Sequence, residues 1–350
     1  MNSFRILEGD ALAVLRTLPA KSFDACLTDP PYGLSFMGKA WDHGVPASPT
    51  WAEVLRVLKP GAPLLAFGGT RTHHRLMCAI EDAGFAISDT LCWLYGSGFP
   101  KSQAQLKPAW EPITLAWKKG ARVLAIDAAR IGTQAVESGR AGRAECASIA
   151  LGKRLMGTQE RQESLGRWPA NVILDEESAA ALDLASGTSQ SAARTGTRAG
   201  KERGALGAFA GQESVGQGHS DSGGASRFFY IAKADPSERG ENTHPTVKPI
   251  DLCAYLAKLL LPPGGTRRLL VPFSGSGSEI IGALRAGWLE AVGIEISGEY
   301  AALSRNRIID DSPMFTREAS IADEVAPHSD EWCAALGAQD AIKEEALERA

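Results

Sequence analysis

Apolar runs alternate with helical patterns through the N-terminal part of the chain. The run Phe4–Leu7 predicts a strand, and leucines at positions 12, 15 and 18 then mark one face of a helix. A second apolar run, Phe23–Leu27, completes a β-α-β unit. The same alternation predicts helices through Trp51–Leu58 and Arg71–Ala83, and strands over Pro63–Phe67, Ile87–Leu94 and Ile113–Trp117. This order predicts parallel strands with crossover helices, a doubly wound α/β sheet.

The regular pattern fades in the middle of the chain and returns toward its C-terminal end. Residues 121–185 mix short apolar runs with arginines, and from Ser186 to Ala225 the composition shifts, with 10 of 40 residues glycine. Such a segment cannot offset its ordering entropy by burial, so we expect a mobile loop there. Beyond it the pattern predicts strands over Arg227–Lys233, Arg268–Val271 and Ala291–Ile296, and helices ending at Leu261 and covering Glu279–Ala286 and Glu299–Ile309.

Composition and charge narrow the class of protein. No apolar run approaches the roughly 18 residues of a membrane span, and the first residues lack the basic and apolar regions of a signal peptide. Six scattered cysteines without a CxxC pair favour reduced thiols in a cytoplasmic protein, without a metal site. The net charge of −4 conceals an acidic tail, residues 310–350, in which we expect helical stretches and no strand. The remaining residues are mildly basic, which suits a polyanionic partner.

An unusual turn follows the second predicted strand. There an acid, two prolines and an aromatic, Asp29-Pro30-Pro31-Tyr32, end the apolar run. Proline cannot donate to a strand ladder and disfavours a helical conformation in the residue before it, so a stiff turn is expected. It would present the Asp29 carboxylate, the Pro30 carbonyl and the Tyr32 ring to a planar guest that carries an amine. An ordinary strand-to-loop turn with an exposed aromatic is the alternative.

A second motif, a glycine-lined turn, lies between a predicted strand and a predicted helix. It is Phe273-Ser274-Gly275-Ser276-Gly277, whose glycines let the backbone approach a ligand at a helix N-terminus. Glu295 ends the next strand, 18 residues after Gly277, where an acid can accept both hydroxyl groups of a ribose. Ile280 replaces the third glycine of a dinucleotide fingerprint, so a cofactor with a ribose and no phosphate, such as S-adenosylmethionine, fits better. A plain tight turn is the alternative.

Three motifs in a fixed order connect the chain to a known family. Asp29–Tyr32 (DPPY), residues 244–249 (HPTVKP) and Phe273–Gly277 (FSGSG) resemble the β group of DNA amino-methyltransferases, which methylate adenine N6 or cytosine N4. The resemblance covers about residues 4–309 and is strongest for phage- and prophage-type members. It implies a Rossmann-like methyltransferase sheet that is mostly parallel with one antiparallel strand. It also implies a role in restriction-modification, although the sequence does not indicate a restriction partner.

The resemblance also implies a division of the chain. Residues 1–100 would form the catalytic half of the methyltransferase domain and residues 236–309 its cofactor-binding half. Between them, residues 101–235 would form an inserted target-recognition region that contains the mobile loop 186–225. Residues 310–350 would be an appended acidic tail.

Residue roles follow from the resemblance where positions match. Asp29, Pro30, Pro31 and Tyr32 would form the catalytic motif. The implied cofactor contacts are Asp10 on the adenine, Thr246 and Lys248 along the methionine end, Phe273, Ser274, Gly275, Ser276 and Gly277 around the methionine and ribose portions, and Glu295 on the ribose hydroxyls. One departure matters, because the family usually has an acid before Pro-Phe and this chain has Val271. The methionine amine would then be bound more weakly, or by Asp29 or a water.

A duplex substrate requires the target base to be flipped out of the helix. The candidate DNA contacts are basic residues in irregular segments, Lys39, Arg194, Arg198, Lys201 and Arg203, with a solvated linker as the alternative role of the last four. Asp rather than Ser before the two prolines resembles adenine-N6 enzymes, so the leading hypothesis is site-specific adenine-N6 methylation of double-stranded DNA. Cytosine-N4 methylation and a catalytically weak DNA-binding module are alternatives, and a homodimer is compatible with each.

Overall fold

A computed structural model describes residues 2–34, 42, 44–100, 103–104, 106–138, 162–191, 221–234, 247–311 and 316–317. The chain forms two compact units. Unit 1 comprises Met1–Asp89, Pro112–Val123 and Asp235–Ala350, and unit 2 comprises Thr90–Glu111 and Leu124–Ala234. Residues 112–123 thus belong to unit 1, and most of the described residues between 101 and 235 belong to unit 2. The expected division into a recognition region, 101–235, and two halves of a methyltransferase domain stays a prediction.

The elements have the following bounds. The strands are β1 (Ser3–Glu8), β2 (Ala25–Thr28), β3 (Pro63–Phe67), β4 (Ala86–Leu94), β5 (Trp110–Trp117), β6 (Ile131–Ser138), β7 (Gln162–Arg167), β8 (Val172–Asp175), β9 (Ser189–Gln190), β10 (Ser222–Gly223), β11 (Tyr230–Ala232), β12 (Arg268–Pro272), β13 (Glu290–Glu295) and β14 (Thr316–Arg317). The helices are α1 (Ala11–Thr17), α2 (Ser48–Val57), α3 (His73–Asp82), α4 (Glu176–Ser186), α5 (Ile250–Leu259), α6 (Ser278–Ala286) and α7 (Gly298–Asp311). Within the described ranges, no helix has both the length and the apolar character needed to cross a membrane.

Unit 1 is organised by a mostly parallel sheet. Its strands lie in the order β5-β3-β2-β12-β13-β1-β14. Each neighbouring pair in this order is parallel, except that β5 runs antiparallel to β3. This arrangement confirms the predicted fold, a mixed α/β sheet that is mostly parallel with an antiparallel strand.

Both faces of this sheet are covered. Cys26 and Leu27 are adjacent in β2 and point to opposite faces, and both are completely buried. The same holds for Leu64 and Leu65 in β3. Helices α1, α2 and α3 contribute to the core cluster that contains Cys26 and Leu64. Of the other helices, α5 packs against α6, and α6 packs against α7. The sequence therefore folds as the doubly wound pattern predicts, with near-continuous apolar strands between two helical layers.

Unit 2 has its own strands and one well-capped helix. Strands β11, β8 and the end of β4 pair in parallel, and β6 pairs with β7 in an antiparallel ribbon. Asp175 caps α4, because its carboxylate accepts a hydrogen bond of 2.7 Å from the Ser178 N–H. Helix α4 ends at Ser186, and the N–H of the next residue, Gly187, bonds back to the Asp183 carbonyl.

Three expectations about these regions were wrong or incomplete. Residues 121–185 contain β6, β7, β8 and α4, which the pattern did not predict. The predicted strand Arg227–Lys233 begins as a 3₁₀ turn and is a strand only over Tyr230–Ala232, since Asp183 binds both the N–H and the hydroxyl of Ser226. The tail was expected to have no strand, yet Thr316–Arg317 pairs with β1. Of the loop predicted to be mobile, residues 192–220 lie outside the described ranges.

Candidate active site

Two strands that are far apart in the chain end side by side in unit 1. β2 and β12 are parallel neighbours, and the Thr28 hydroxyl at the end of β2 donates a hydrogen bond to the Pro272 carbonyl at the end of β12. Ligands of open α/β sheets bind beyond the carboxyl ends of the strands. The next residues, Asp29 and Phe273, therefore begin two sides of the same candidate site.

The first side is the DPPY corner, which we define as Asp29–Tyr32 together with Lys248. The Tyr32 hydroxyl donates to Asp29 Oδ1 at 2.7 Å, and Lys248 Nζ donates to Asp29 Oδ2 at 2.7 Å and to the Tyr32 oxygen at 3.2 Å. The Lys248 and Asp29 side chains are only 7% and 14% exposed. Both carboxylate oxygens are engaged, but each has further lone pairs with which to accept another donor.

Neighbouring residues fix the backbone and the ring of Tyr32. Its carbonyl accepts a hydrogen bond of 2.6 Å from the Thr72 hydroxyl. A Cβ at Gly69 would lie 3.2 Å from Tyr32 Cδ2, so the ring packs closely against that glycine. The Asp42 carboxylate, 2% exposed, accepts the N–H groups of Gly33 and Leu34 at 2.8 and 3.2 Å and closes the loop after the turn. The motif is thus held from both ends.

Lys248 is positioned by aromatic rings as well as by Asp29. Its ammonium lies 4.9 Å from the centre of the Phe67 ring and 5.4 Å from that of Tyr32. A buried ammonium needs such partners, because removing it from water is costly. The resemblance assigned Lys248 to the methionine end of the cofactor, and that role stays a prediction.

The second side is the glycine loop, Phe273–Gly277. Phe273, Gly275 and Gly277 have φ angles of +64°, +49° and +84°. Positive φ is unusual for a residue with a Cβ and costs on the order of 1–3 kcal/mol, so Phe273 carries backbone strain of a kind that clusters at ligand sites. The turn closes through a hydrogen bond of 2.8 Å from the Gly277 N–H to the Ser274 carbonyl. A Cβ at Gly277 would lie 2.3 Å from the Ser304 Oγ, so the loop is tightly fitted to α7.

Glu295 lies against this loop, as its position at the end of β13 predicts. Its two carboxylate oxygens accept N–H groups from Gly275 at 2.8 Å and Ser297 at 2.9 Å. Burial raises the pKa of Glu295, and these backbone hydrogen bonds act in the opposite direction. An acid with spare lone pairs beside a close-packed glycine turn fits the ribose of a nucleoside. The backbone of the glycine loop and the Glu295 carboxylate therefore suit a cofactor with a nucleoside portion.

Other predicted contacts have a visible local role. Asp10 is exposed and caps α1 by accepting the Ala13 N–H at 3.0 Å. The hydroxyl and carbonyl of Ser276 accept from Arg307 Nη1 at 3.0 and 2.6 Å. Ser274 is buried and its N–H bonds to the Ile294 carbonyl at 2.8 Å. Pro30 is buried and Pro31 half-buried, which agrees with a rigid turn.

Several predicted site residues lie outside the described ranges, namely Thr246, Lys39, Arg194, Arg198, Lys201 and Arg203. Their roles stay predictions. Over the described part of the chain, no group of three or more His, Cys, Asp or Glu side chains could hold a metal ion.

Glu279 was missed by the sequence analysis, which read it as an ordinary helical residue. It lies in the first turn of α6, directly after the glycine loop, and is 4% exposed. Burial and the negative charge of Asp29 raise the pKa of Glu279 to about 7, against the opposing effects of its own backbone N–H, Lys248 and Arg307. The helical pattern gave no signal of this burial, since Ile280, Ile281 and Leu284 form one apolar face of α6 and Glu279 lies outside it.

Comparison with known proteins places the chain in a family. The family model N6_N4_Mtase, described as DNA methylase, matches residues 23–306. The Escherichia coli (strain K12) protein YubD, named as a methylase, is 34% identical over 91 residues, which cover 24% of this chain and 39% of YubD. The chain thus matches well under half of that relative's length.

Solved structures with a similar fold include two proteins named for DNA methylation. TTHA0409 of Thermus thermophilus, named as a DNA modification methylase, is 16% identical with a TM-score of 0.48, and the match covers 91% of this chain and 99% of that one. PvuII DNA methyltransferase, named as cytosine-N4-specific, is 15% identical with a TM-score of 0.49, covering 89% of this chain and 92% of that one.

The family model is decisive because it covers far more than half of the chain and both sides of the candidate site. It also confirms the cofactor predicted from the sequence, S-adenosylmethionine, whose nucleoside portion suits the glycine loop and Glu295. The chain belongs to the N6/N4 family of DNA methylases.

Proposed function

We propose that this chain is a DNA methyltransferase that methylates adenine N6 in double-stranded DNA, with the DPPY corner as its catalytic centre. The observation that carries the proposal is the junction of β2 and β12, where Thr28 binds Pro272 and the two motifs begin on neighbouring strands. A methyl donor held by the glycine loop and an amine held by Asp29 would then be close enough to react.

The chemistry of the DPPY corner suits an exocyclic amine. When bound, S-adenosylmethionine supplies the electrophilic methyl group. Such an amine is a poor nucleophile because its lone pair is delocalised into the ring. Asp29 and the Pro30 carbonyl accept its N–H hydrogens, favour a pyramidal nitrogen and direct the lone pair in line toward the methyl group. Positioning of this kind contributes ~7–11 kcal/mol in good cases.

Lys248 and Tyr32 prepare Asp29 for this task. Because Lys248 and Tyr32 already donate to its two oxygens, the carboxylate has a fixed orientation before any substrate arrives. The excess amine proton leaves to solvent, because a carboxylate is a weak base for it. The half-buried Tyr32 ring stacks on the flipped base. Stacking returns roughly 1–3 kcal/mol, against a flipping cost of a few kcal/mol.

The target base, the DNA contacts and the cellular location are proposed from the sequence motifs. Asp29 before the two prolines resembles adenine enzymes more than cytosine-N4 enzymes, and cytosine N4 is the competing target. Lys39, Arg194, Arg198, Lys201 and Arg203 are proposed to contact the DNA backbone. A DNA substrate implies action in the cytoplasm of a bacterial or phage-infected cell, with or without a restriction partner.

The test is methyl transfer to unmethylated genomic DNA. The purified chain is incubated with duplex DNA and S-adenosylmethionine labelled in the methyl group, and the DNA is digested to nucleosides for mass spectrometry. Labelled N6-methyladenine is the expected product. Labelled N4-methylcytosine would replace the proposed target, and an absence of any labelled nucleoside would contradict the activity itself.

A further inference from the structure

Glu279 is a buried acid for which the protein provides no matching cation. Among the described residues, no lysine or arginine forms a salt bridge with it, and no side chain donates a hydrogen bond to its carboxylate, although it is 4% exposed. A buried carboxylate without a partner is expensive and is seldom retained unless something binds it. Its position identifies the site that such a ligand would occupy, because Glu279 lies in the first turn of α6, two residues after the glycine loop, and is close enough to the DPPY corner to be affected by the charges of Asp29 and Lys248.

Among the described residues, three charged groups act on Glu279. Asp29 lies beyond β2, Lys248 precedes α5 and Arg307 is on α7. Lys248 is committed to Asp29 at 2.7 Å, and Arg307 binds the Ser276 carbonyl at 2.6 Å. Both cations therefore have nearer partners, and Glu279 faces the negative charge of Asp29 in addition.

The position that would usually supply an acid to this pocket is apolar. Val271 stands directly before Pro272-Phe273 and is completely buried in β12, between its neighbours β2 and β13. The glycine loop thus has a valine before it and a buried glutamate after it.

We propose that the Glu279 carboxylate binds the methionine ammonium group of S-adenosylmethionine, in place of the acid that is absent at position 271. This proposal rests on the cofactor of the proposed function and adds the residue that recognises the amino-acid end. The ligand ammonium supplies the missing cation, and the pair is completed only when the cofactor is bound. Glu295, in contrast, recognises the ribose.

The proposal predicts that binding is linked to protons. Because the pKa of Glu279 is raised to about 7, the free protein holds a proton on this carboxyl in mildly acidic solution. The ammonium group requires the carboxylate, so binding releases that proton. Affinity should therefore increase as pH rises from about 6 to about 8.

Two ligands separate recognition of the amino-acid end from recognition of the nucleoside. S-adenosylhomocysteine carries the ammonium group, whereas 5′-methylthioadenosine has the same adenine, ribose and thioether without it. We expect Glu279→Gln to weaken S-adenosylhomocysteine roughly 10- to 100-fold at pH 8, and 5′-methylthioadenosine less than about twofold, in calorimetric titrations of the full chain. Glu295→Gln should weaken both ligands. Glu299→Gln is the matched control, since Glu299 is an exposed acid in the first turn of α7.

The outcomes are distinct. Equal weakening of both ligands by Glu279→Gln, or none, would overturn the assignment. Should the variant fold poorly, the wild-type chain still decides, because titrations near pH 6.5 in buffers of different ionisation enthalpy must show release of on the order of one proton with S-adenosylhomocysteine and none with 5′-methylthioadenosine. Failure of the wild-type chain to bind either ligand would instead count against the proposed function.

Discussion

Asp29 and Glu279 are acids with little solvent exposure on the two sides of the candidate site, and their surroundings differ. Asp29 has a lysine at 2.7 Å and a tyrosine hydroxyl at 2.7 Å, so its charge is compensated without any ligand. Glu279 has no salt-bridge partner among the described residues and is exposed to the charge of Asp29. On the proposed assignment, this difference means that the catalytic side is preorganised, whereas the cofactor side is completed only when the ligand binds.

The largest effect should come from removing the charge of Asp29. Asp29→Asn keeps the shape of the side chain but loses the anionic acceptor, so methyl transfer should fall at least ~100-fold. Duplex binding, measured by gel shift, should survive. Asp82→Asn, an exposed acid at the end of α3, is the control and should retain full activity. Near-normal turnover by Asp29→Asn would remove Asp29 as the amine acceptor.

The second prediction concerns Lys248, the cation that pairs with Asp29 in the DPPY corner. Lys248→Met leaves the Asp29 carboxylate buried without its cation, which should lower the free energy of unfolding by about 3–5 kcal/mol. Chemical denaturation measures this loss. The double variant with Asp29→Asn should regain most of the lost stability, because no uncompensated charge remains. If the two single changes were simply additive, the ion pair would have no role in stabilising the site.

A smaller effect is expected from Glu279, on the pH dependence of the free energy of unfolding. The pKa of Glu279 in the folded state is raised above its usual value of 4.5 to about 7, so the folded protein binds this proton more tightly than the unfolded chain. The resulting stability is present at low pH and is lost as pH rises through about 7. Glu279→Gln should remove a decline of about 2 kcal/mol between about pH 5.5 and pH 8.

Denaturation curves of the cofactor-free chain at several pH values test this. Identical pH profiles for the wild type and Glu279→Gln would show that the carboxyl carries no raised pKa. Glu299→Gln again serves as the control and should follow the wild type, since Glu299 is solvent-exposed.

The fold of unit 1 was predictable because its strands and helices repeat one local pattern. Runs such as Pro63–Phe67 are buried on both faces, and this is visible as a continuous apolar segment. The glycine loop and the DPPY turn were also visible, because proline and glycine restrict or extend the backbone locally. What the pattern could not supply was the contact between Lys248 and Asp29, which are separated by 219 positions.

Unit 2 was harder to predict because its elements depend on distant partners. β6 and β7 pair across residues 139–161, and nothing local fixes that pairing. Helix α4 did have a local signal, with Asp175 as cap, two acids in the first turn and Gly187 after its end. Ser226 joins a turn only because Asp183, in another element, binds it.

The central claim is that the DPPY corner and the glycine loop form one methyl-transfer site. A crystal structure of the chain with S-adenosylhomocysteine tests it most directly. The account predicts the ribose on Glu295, the ammonium on Glu279, and the sulfur atom facing the Asp29 carboxylate. A ligand bound with its sulfur directed away from Asp29, or bound elsewhere in the protein, would contradict it.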